Sequence, residues 1–344
     1  MLVEPVVLPP NQSERFYRGG ARIAAFRGLP SPGDRYPEDW VGSTTALFGQ
    51  EELGLSRFEN GEALRDLVRA DPQAWLGPEH ARAFGAETGL LVKLLDAGQR
   101  LPVHAHPDRA FARRHLSCPY GKTEAWIVTG TEGGSGLVHL GFHSDVEPET
   151  LRRWVQDQDG DGMLAAMHAV PVEPGDAVLV PAGLPHAIGE GVLLVELQEP
   201  TDFSVLLEWE GFALDGPRDG HLGLGFDLAL QCVDRRGWDV EELQALRRRD
   251  SGRAGVEQPL PREAEPYFRA ERLRPAPELG LEPGFSVLVV LEGSGELAGQ
   301  AGHVLSLQRG MTVLVPYAAG TLALRGPLHV LRCRPPATAP ADGV

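Results

Sequence analysis

GQRLPVHAHP (Gly98–Pro107) and GDAVLVPAGLPHAIGE (Gly175–Glu190) decide how this chain is read. In each, a glycine makes a turn, a short apolar run follows, and histidine stands near the end. His104 and His106 are two residues apart. On a strand, alternation puts both side chains on one face of the sheet. Two imidazoles on one inward face form a natural pair of metal ligands, whereas a lone histidine there is more often an ordinary core residue. In the second stretch Gly175 turns into a strand, Pro181 and Gly183 make another turn, and His186 follows.

The two spacings, G-x5-H-x-H and then G-x5-P-x-G-x2-H, are those of the two cupin motifs, in order. The first cupin motif also calls for a glutamate. The next suitable one is Glu124 in YGKTEAWIVTG, reached after the intervening segment DRAFARRHLSCPY. The expected centre is one divalent metal ion held by His104, His106, Glu124 and His186. The other histidines (His80, His115, His139, His143, His168, His221, His303 and His329) show no ligand spacing and read as surface or satisfied strand residues.

Outward from these motifs, GLLVKLLDAG, LVHLGF, DAVLVP and GVLLVELQ are short apolar runs bounded by glycine or proline, the pattern of buried strands. Residues 1–50, including RFYRGGARIAAF, read as short strands and turns. ALRDLVRA, ARAFGAE, PETLRRWVQ and DGMLAAMHAV read as helices, and GWDVEELQALRRR as a longer one with acidic residues first and arginines last. Residues 251–266 are polar and proline-rich, a linker or long loop. Strands then resume in FSVLVVLEG, HVLSLQ, MTVLVP, TLALRG and HVLRCR, before a tail, PPATAPADGV, expected to fray. Gly310 precedes Pro316 at the same spacing as Gly175 precedes Pro181, a faint internal repeat. The expected fold is mainly β: two cupin (jelly-roll) β-barrels with a helical insert and a helical connector. The expected division is a catalytic, metal-binding unit over 1–214, a connector over 215–266, and a degenerate second barrel over 267–340.

At 344 residues the chain has room for a large core, and its apolar (42%) and charged (23%) fractions are ordinary for a globular protein. A net charge of −16 argues against a nucleic-acid partner. No apolar run is long enough to span a membrane, and the N-terminus lacks the pattern of a signal peptide. Three scattered cysteines without a CxxC pair argue against disulfides and thiolate zinc sites, and fit the cytoplasm. Of 32 basic residues only Lys93 and Lys122 are lysines. Lysine offers a compact ammonium with an adjustable pKa, so these two stand where arginine's fixed planar fork would not serve.

Lys93, His106, Pro107, Asp108, Gly121, Lys122, Thr123, Glu124, Trp126, Pro181, Gly183, His186 and Glu196, in that order, resemble the type I phosphomannose isomerases over roughly residues 85–202. Before that span the resemblance rests on Arg18-Gly-Gly and on Glu38 through Ser43 (EDWVGS), similar to family segments near the sugar site. It implies zinc held by Gln, His, Glu and His, and His104 departs from the family's glutamine. A set of three histidines and one glutamate also suits Fe, Mn or Ni. The resemblance further implies Glu196 as base, Lys122 as proton relay or enediolate stabiliser, and a substrate site drawing on Lys93, Trp40, Arg18 and Asp202. The implied partner is a small sugar or sugar phosphate, and the implied reaction is the interconversion of mannose 6-phosphate and fructose 6-phosphate or of a related hexose. The family arginine expected ten residues after Glu196 is replaced by Leu206, and Glu208 and Glu210 follow. Acidic groups there would repel a phosphate, so an unphosphorylated sugar, or a basic residue from elsewhere (Arg18, Arg109 or Arg218), comes into play. Two rival readings are a cupin Fe/Mn oxidoreductase, which the histidine-rich ligand set permits, and a non-catalytic sugar-binding protein, which the loss at Leu206 permits.

Overall fold

The computed structural model describes residues 4–134, 136–299 and 302–338. Three antiparallel sheets stack in layers. The middle one has six strands, in the order Arg247–Arg249, Asp176–Val180, Glu124–Thr131, Val192–Gln198, Leu91–Asp96 and Glu38–Val41. A five-stranded sheet lies on one side, in the order Val205–Leu206, His104–Ala105, His186–Ile188, Gly136–Phe142 and Met167–Val172. A nine-stranded sheet built mainly from the C-terminal third lies on the other.

The middle sheet is buried on both faces, which explains its continuous apolar runs. Leu94, Ile127, Leu179 and Val195 pack against Val287, Val289 and Leu331 of the nine-stranded sheet. The intervening residues Leu95, Trp126, Val178 and Leu194 pack against Val138, Leu140 and Ile188 of the five-stranded sheet. A strand covered on both sides cannot show the alternating apolar–polar code of a half-exposed one. Against that background the polar residues on the inner face, Lys93, Glu124 and Glu196, stand out, and they define where the chemistry can lie.

The helices differ from expectation in several places. ARIAAFR, read within strands and turns, is a helix, Ala21–Arg27. Its start is capped from outside: Asp96 Oδ2 accepts from Gly20 N at 2.8 Å and Arg22 N at 2.9 Å. A tertiary partner supplies the cap that local sequence lacks. Leu64–Ala70, Pro78–Phe84 and Pro148–Asp157 form helices as expected, and Pro72–Leu76 adds one more. DGMLAAMHAV divides into a helix, Gly160–Ala165, and a strand beginning at Met167. The helix expected over GWDVEELQALRRR covers only Val240–Ala245, opened by a capping box of Asp239 and Glu242. The arginines that follow form an edge strand, Arg247–Arg249, paired with Asp176–Val178. Sheet hydrogen bonds there override helix propensity. The expected linker holds a short strand, Gly255–Glu257, paired with Arg272–Arg274.

Pairing crosses the expected boundaries twice. Val6–Val7 joins Val313 and Leu314 of the nine-stranded sheet, and Arg247–Arg249 joins the middle sheet. The repeated Gly-x5-Pro spacing does correspond to repeated local structure. Gly175 (φ +95°) and Gly310 (φ +88°) both adopt left-handed backbone before strands that end just ahead of Pro181 and Pro316. Most of the tail expected to fray, residues 339–344, lies outside the described residues; Ala337 N still donates to Glu265 O at 3.1 Å. Among the described residues no helix is long and apolar enough to cross a membrane.

Candidate metal centre and active site

Register places the site. On the five-stranded sheet His104 stands directly opposite His186, and His186 opposite Leu140. The strand bearing His104 ends at Ala105, so His106 lies just beyond it but still turns to the same side. The three ring centroids are 4.1 to 4.9 Å apart. Their candidate ligand atoms all lie within 4.8 Å of one another. Each Nδ1–H donates to a carbonyl: His104 to Pro102 O at 2.8 Å, His106 to Phe203 O at 2.7 Å, His186 to Leu184 O at 2.8 Å. Those bonds fix tautomer and ring orientation, and they turn each Nε2 toward the centre.

Glu124 comes from the facing sheet. Its Oε1 lies 3.0 Å from His106 Nε2 and 2.9 Å from Lys122 Nζ, and its Oε2 lies 3.6 Å from His186 Nε2. Trp126 Nε1 donates to Oε2 at 3.3 Å. Burial opposes the charge on Glu124, yet Lys122, foremost and 2.9 Å away, outweighs it and holds the carboxyl well below its usual range. Burial drives all three histidines below the ordinary imidazole value, His106 to about 3, so they stand neutral with Nε2 lone pairs available. His186 Nε2 is buried and has no hydrogen-bond partner. Three neutral imidazole nitrogens and one carboxylate suit a borderline divalent cation, and the orphaned Nε2 is what such an ion would satisfy.

Beside this cluster the middle sheet presents a row of cross-strand neighbours: Trp40, Lys93, Glu196 and Trp126. Lys93 Nζ lies 3.3 Å from Glu196 Oε1, 3.4 Å from Glu38 Oε2 and 4.9 Å from the Trp40 ring centre. Burial works against the Lys93 ammonium, but Glu38 and Glu196 prevail and keep it charged. Glu38 accepts from Tyr17 Oη at 2.6 Å and from Trp40 Nε1 at 2.7 Å. Glu196 has the opposite fate. Burial, reinforced by Glu124, outweighs Lys93 and Lys122 and pushes its carboxyl up to about 7. Its Oε1 lacks an aligned hydrogen-bond donor despite the nearby lysine.

A cavity of about 440 Å³ opens over these groups. Both lysines of the chain line it, with Arg15, Glu38, His104, Glu124, Glu196, Asp202 and Leu206 among their neighbours, and Arg218 and Asp219 also on its wall. Trp40 is buried behind Lys93 and does not line the cavity. Arg18 is exposed and also lies outside the lining. Its place is taken by Arg15, three residues earlier, whose guanidinium reaches Glu38 at 3.2 Å and Asp202 at 3.4 Å. Arg15, Tyr17 and Glu38 are site residues that motif spacing missed. For Arg15 and Tyr17 the signal was the R-x-Y alternation in RFYRGG, which turns both inward together, and Glu38 stands in the EDWVGS segment whose resemblance pointed near the sugar site. Glu208 does not face the cavity at all. It is buried, clamped by Arg100 at 2.6 and 2.7 Å, and accepts from Val103 N at 2.9 Å. Glu208 therefore braces the strand carrying His104, and the repulsion of a phosphate expected from it does not arise. Arg109 also lies outside the cavity lining, paired with Glu199. Four of the eight remaining histidines, His80, His143, His168 and His221, bond to carbonyls, as His80 does to Glu87 O at 2.8 Å and His168 to Trp238 O at 2.7 Å.

The mainly β fold, the three-histidine cluster, the facing glutamate and the polar cavity beside them resemble the metal-binding cupins. Residues 18–125 match the model for the phosphomannose isomerase type I catalytic domain. Over 336 residues the chain is 27% identical to mannose-6-phosphate isomerase ManA of Bacillus subtilis (strain 168), spanning 95% of this chain and 97% of that one. It is 31% identical to mannose-6-phosphate isomerase of Streptococcus mutans over 205 residues, 58% of this chain and 59% of the other. The crystal structure of mannose 6-phosphate isomerase from Bacillus subtilis superposes with a TM-score of 0.72 at 21% identity, covering 96% of this chain and all of that one. That likeness fixes the fold. The chain is similar along nearly its whole length to type I phosphomannose isomerases, which are sugar-phosphate isomerases.

Proposed function

We propose that the protein is a metal-dependent aldose–ketose isomerase, interconverting mannose 6-phosphate and fructose 6-phosphate or a closely related hexose pair. The observation that carries this reading is one cavity lined by the buried carboxylate of Glu196 and by His104 and Glu124, which His106 and His186 join behind its wall. We assign that cluster to one divalent ion, zinc foremost, with Fe, Mn or Ni also compatible with its donors. When bound, the ion supplies Lewis acidity toward the carbonyl and hydroxyl oxygens of the sugar.

The chain's own residues handle the proton. Isomerisation takes a proton from C2 and returns one to C1, or the reverse. A carboxyl near 7 can do both at neutral pH. Lys93 sits against Glu196 and sets how readily it gives its proton up. Lys122, beside Glu124, offers its ammonium to oxygens that gain charge as the proton leaves. Arg15 and Asp202 line the wall where sugar hydroxyls would bind, and Trp40 backs Lys93. We assign the chemistry to residues 1–214 and a supporting role to the sheet of residues 267–340.

One observation favours a second substrate. Each cation lining the cavity already has a carboxylate within reach: Arg15 has Glu38, Lys93 has Glu196, Lys122 has Glu124, and Arg218 has Asp219 at 2.8 Å. A phosphate must displace one of these partners, whereas a neutral hexose need not. The test is ketose formation by the metal-loaded protein from mannose 6-phosphate and from free mannose. Turnover that is lost in Glu196→Gln supports the reading. No turnover on either sugar, with metal bound, refutes it.

A further inference from the structure

Three residues after Glu196 stands another buried carboxylate that the chemistry above does not use. Glu199 is 1% exposed. Its Oε2 accepts from Thr123 N at 3.0 Å, and its Oε1 accepts from Gly121 N at 3.3 Å and Arg109 Nε at 2.6 Å. The backbone ties the same segments together: Glu199 N donates to Thr123 O at 3.1 Å, and Thr201 Oγ1 donates to Gly121 O at 2.7 Å. From the other side Lys122 N donates to Pro107 O at 3.0 Å. Gly121 leaves no slack there. A Cβ on it would lie 2.7 Å from Pro107 O and 2.8 Å from Arg109 N, both backbone atoms.

The tripeptide so gripped carries Lys122 at its centre and leads directly into Glu124. We propose that Glu199 is a positioning residue: its carboxylate straddles the Gly121 and Thr123 amides and thereby sets Lys122 Nζ and the Glu124 carboxylate against the histidine cluster. This rests on the reading of that cluster as a metal site with Lys122 in the chemistry. A charged acceptor spanning two backbone N–H groups gives bonds stronger than neutral ones and fixes direction as well as distance. Arg109 holds Glu199 in turn. It packs over the Tyr267 ring at 4.6 Å and donates to Pro266 O at 3.0 Å. Tyr267 leads into the strand Arg269–Arg274 of the nine-stranded sheet. The placement of Lys122 is thus tied to the sheet that carries none of the chemistry.

The test compares full-length Glu199→Gln with the wild type. A Gln amide must turn its NH₂ toward a donor, Thr123 N on one side or Gly121 N and Arg109 on the other. Amide exchange at Gly121 and Thr123 should then quicken at least about tenfold. The zinc dissociation constant should rise about 10- to 100-fold, and kcat per bound metal should fall while KM changes by less than about threefold. Arg109→Lys, which keeps a charged donor, should stay near wild type, and Arg109→Ala should move all three readouts in the same direction as Glu199→Gln. Unchanged exchange and unchanged zinc affinity in Glu199→Gln would overturn the proposal, whatever happens to the melting temperature. Exchange and zinc binding decide the matter even if the wild type turns over neither sugar, so failure of the isomerase reading stays distinguishable from failure of this one.

Discussion

Replacing Lys93 with methionine should move the acid limb of the pH–rate profile upward. Glu196 must be ionised to take a proton, so activity is lost as pH falls through its pKa. In the folded protein that value is pushed up to about 7, chiefly by burial. At pH 6 about a tenth of the enzyme then carries the active carboxylate, and at pH 5 about a hundredth. Lys93, 3.3 Å from Glu196, works the other way by stabilising the charged form. An opposite charge at such a distance lowers a carboxyl by roughly 1–3 units, so its removal should raise the limb by at least about one unit. Methionine preserves length and bulk while removing the charge. Glu38 keeps Arg15 at 3.2 Å, so Glu196 is the group that loses its nearest counter-charge, with Lys122 alone still lowering it. A divalent ion at the histidine cluster lowers the limb in both proteins alike, which makes the difference between them the measured quantity. The assay is kcat/KM against pH, following ketose formation, with metal content confirmed at each pH. Limbs that coincide within about 0.3 unit would refute the assignment of Glu196 as the titrating base.

His186→Ala removes the cluster's orphaned nitrogen and leaves two imidazoles and Glu124. Bound metal should fall below one ion per chain by elemental analysis, with activity falling in proportion. A metal content equal to wild type would remove His186 from the ligand set. Arg100→Ala leaves the buried Glu208 without its bidentate partner. Because Arg100 itself is 29% exposed, the cost should lie at the lower end for a broken buried pair, about 3 kcal/mol in denaturant unfolding. A loss under about 1 kcal/mol would mean that Glu208 finds solvent instead.

The part of the fold that could be read from sequence is the part governed by local rules. Turn glycines before apolar runs located the buried strands, and HxH with the downstream P-x-G-x2-H located the three histidines that cluster, because each pattern is set within a dozen residues. What escaped was set by distant partners. The helix Ala21–Arg27 is capped by Asp96, far away in sequence. The arginines after Ala245 form a strand only because Asp176–Val180 offers an open edge. Neither condition leaves a mark near the residues concerned.

The same division runs through the site, with a sharper consequence for charge. Glu196, Glu199 and Glu208 lie within one short span, and sequence cannot tell them apart. Their surroundings do. Burial beside Glu124, with Lys93 and Lys122 as partial compensation, pushes the Glu196 carboxyl up to about 7. Two backbone amides and Arg109 make Glu199 a fixed acceptor. Arg100 and Val103 N make Glu208 a brace turned away from the cavity. An acidic residue near a sugar site therefore says little about phosphate until its partners are known. The decisive quantity is how each carboxylate is compensated. By that measure this cavity has no unpaired cation on its wall among the described residues, and the substrate's own charge becomes the variable that the mannose and mannose 6-phosphate assays separate.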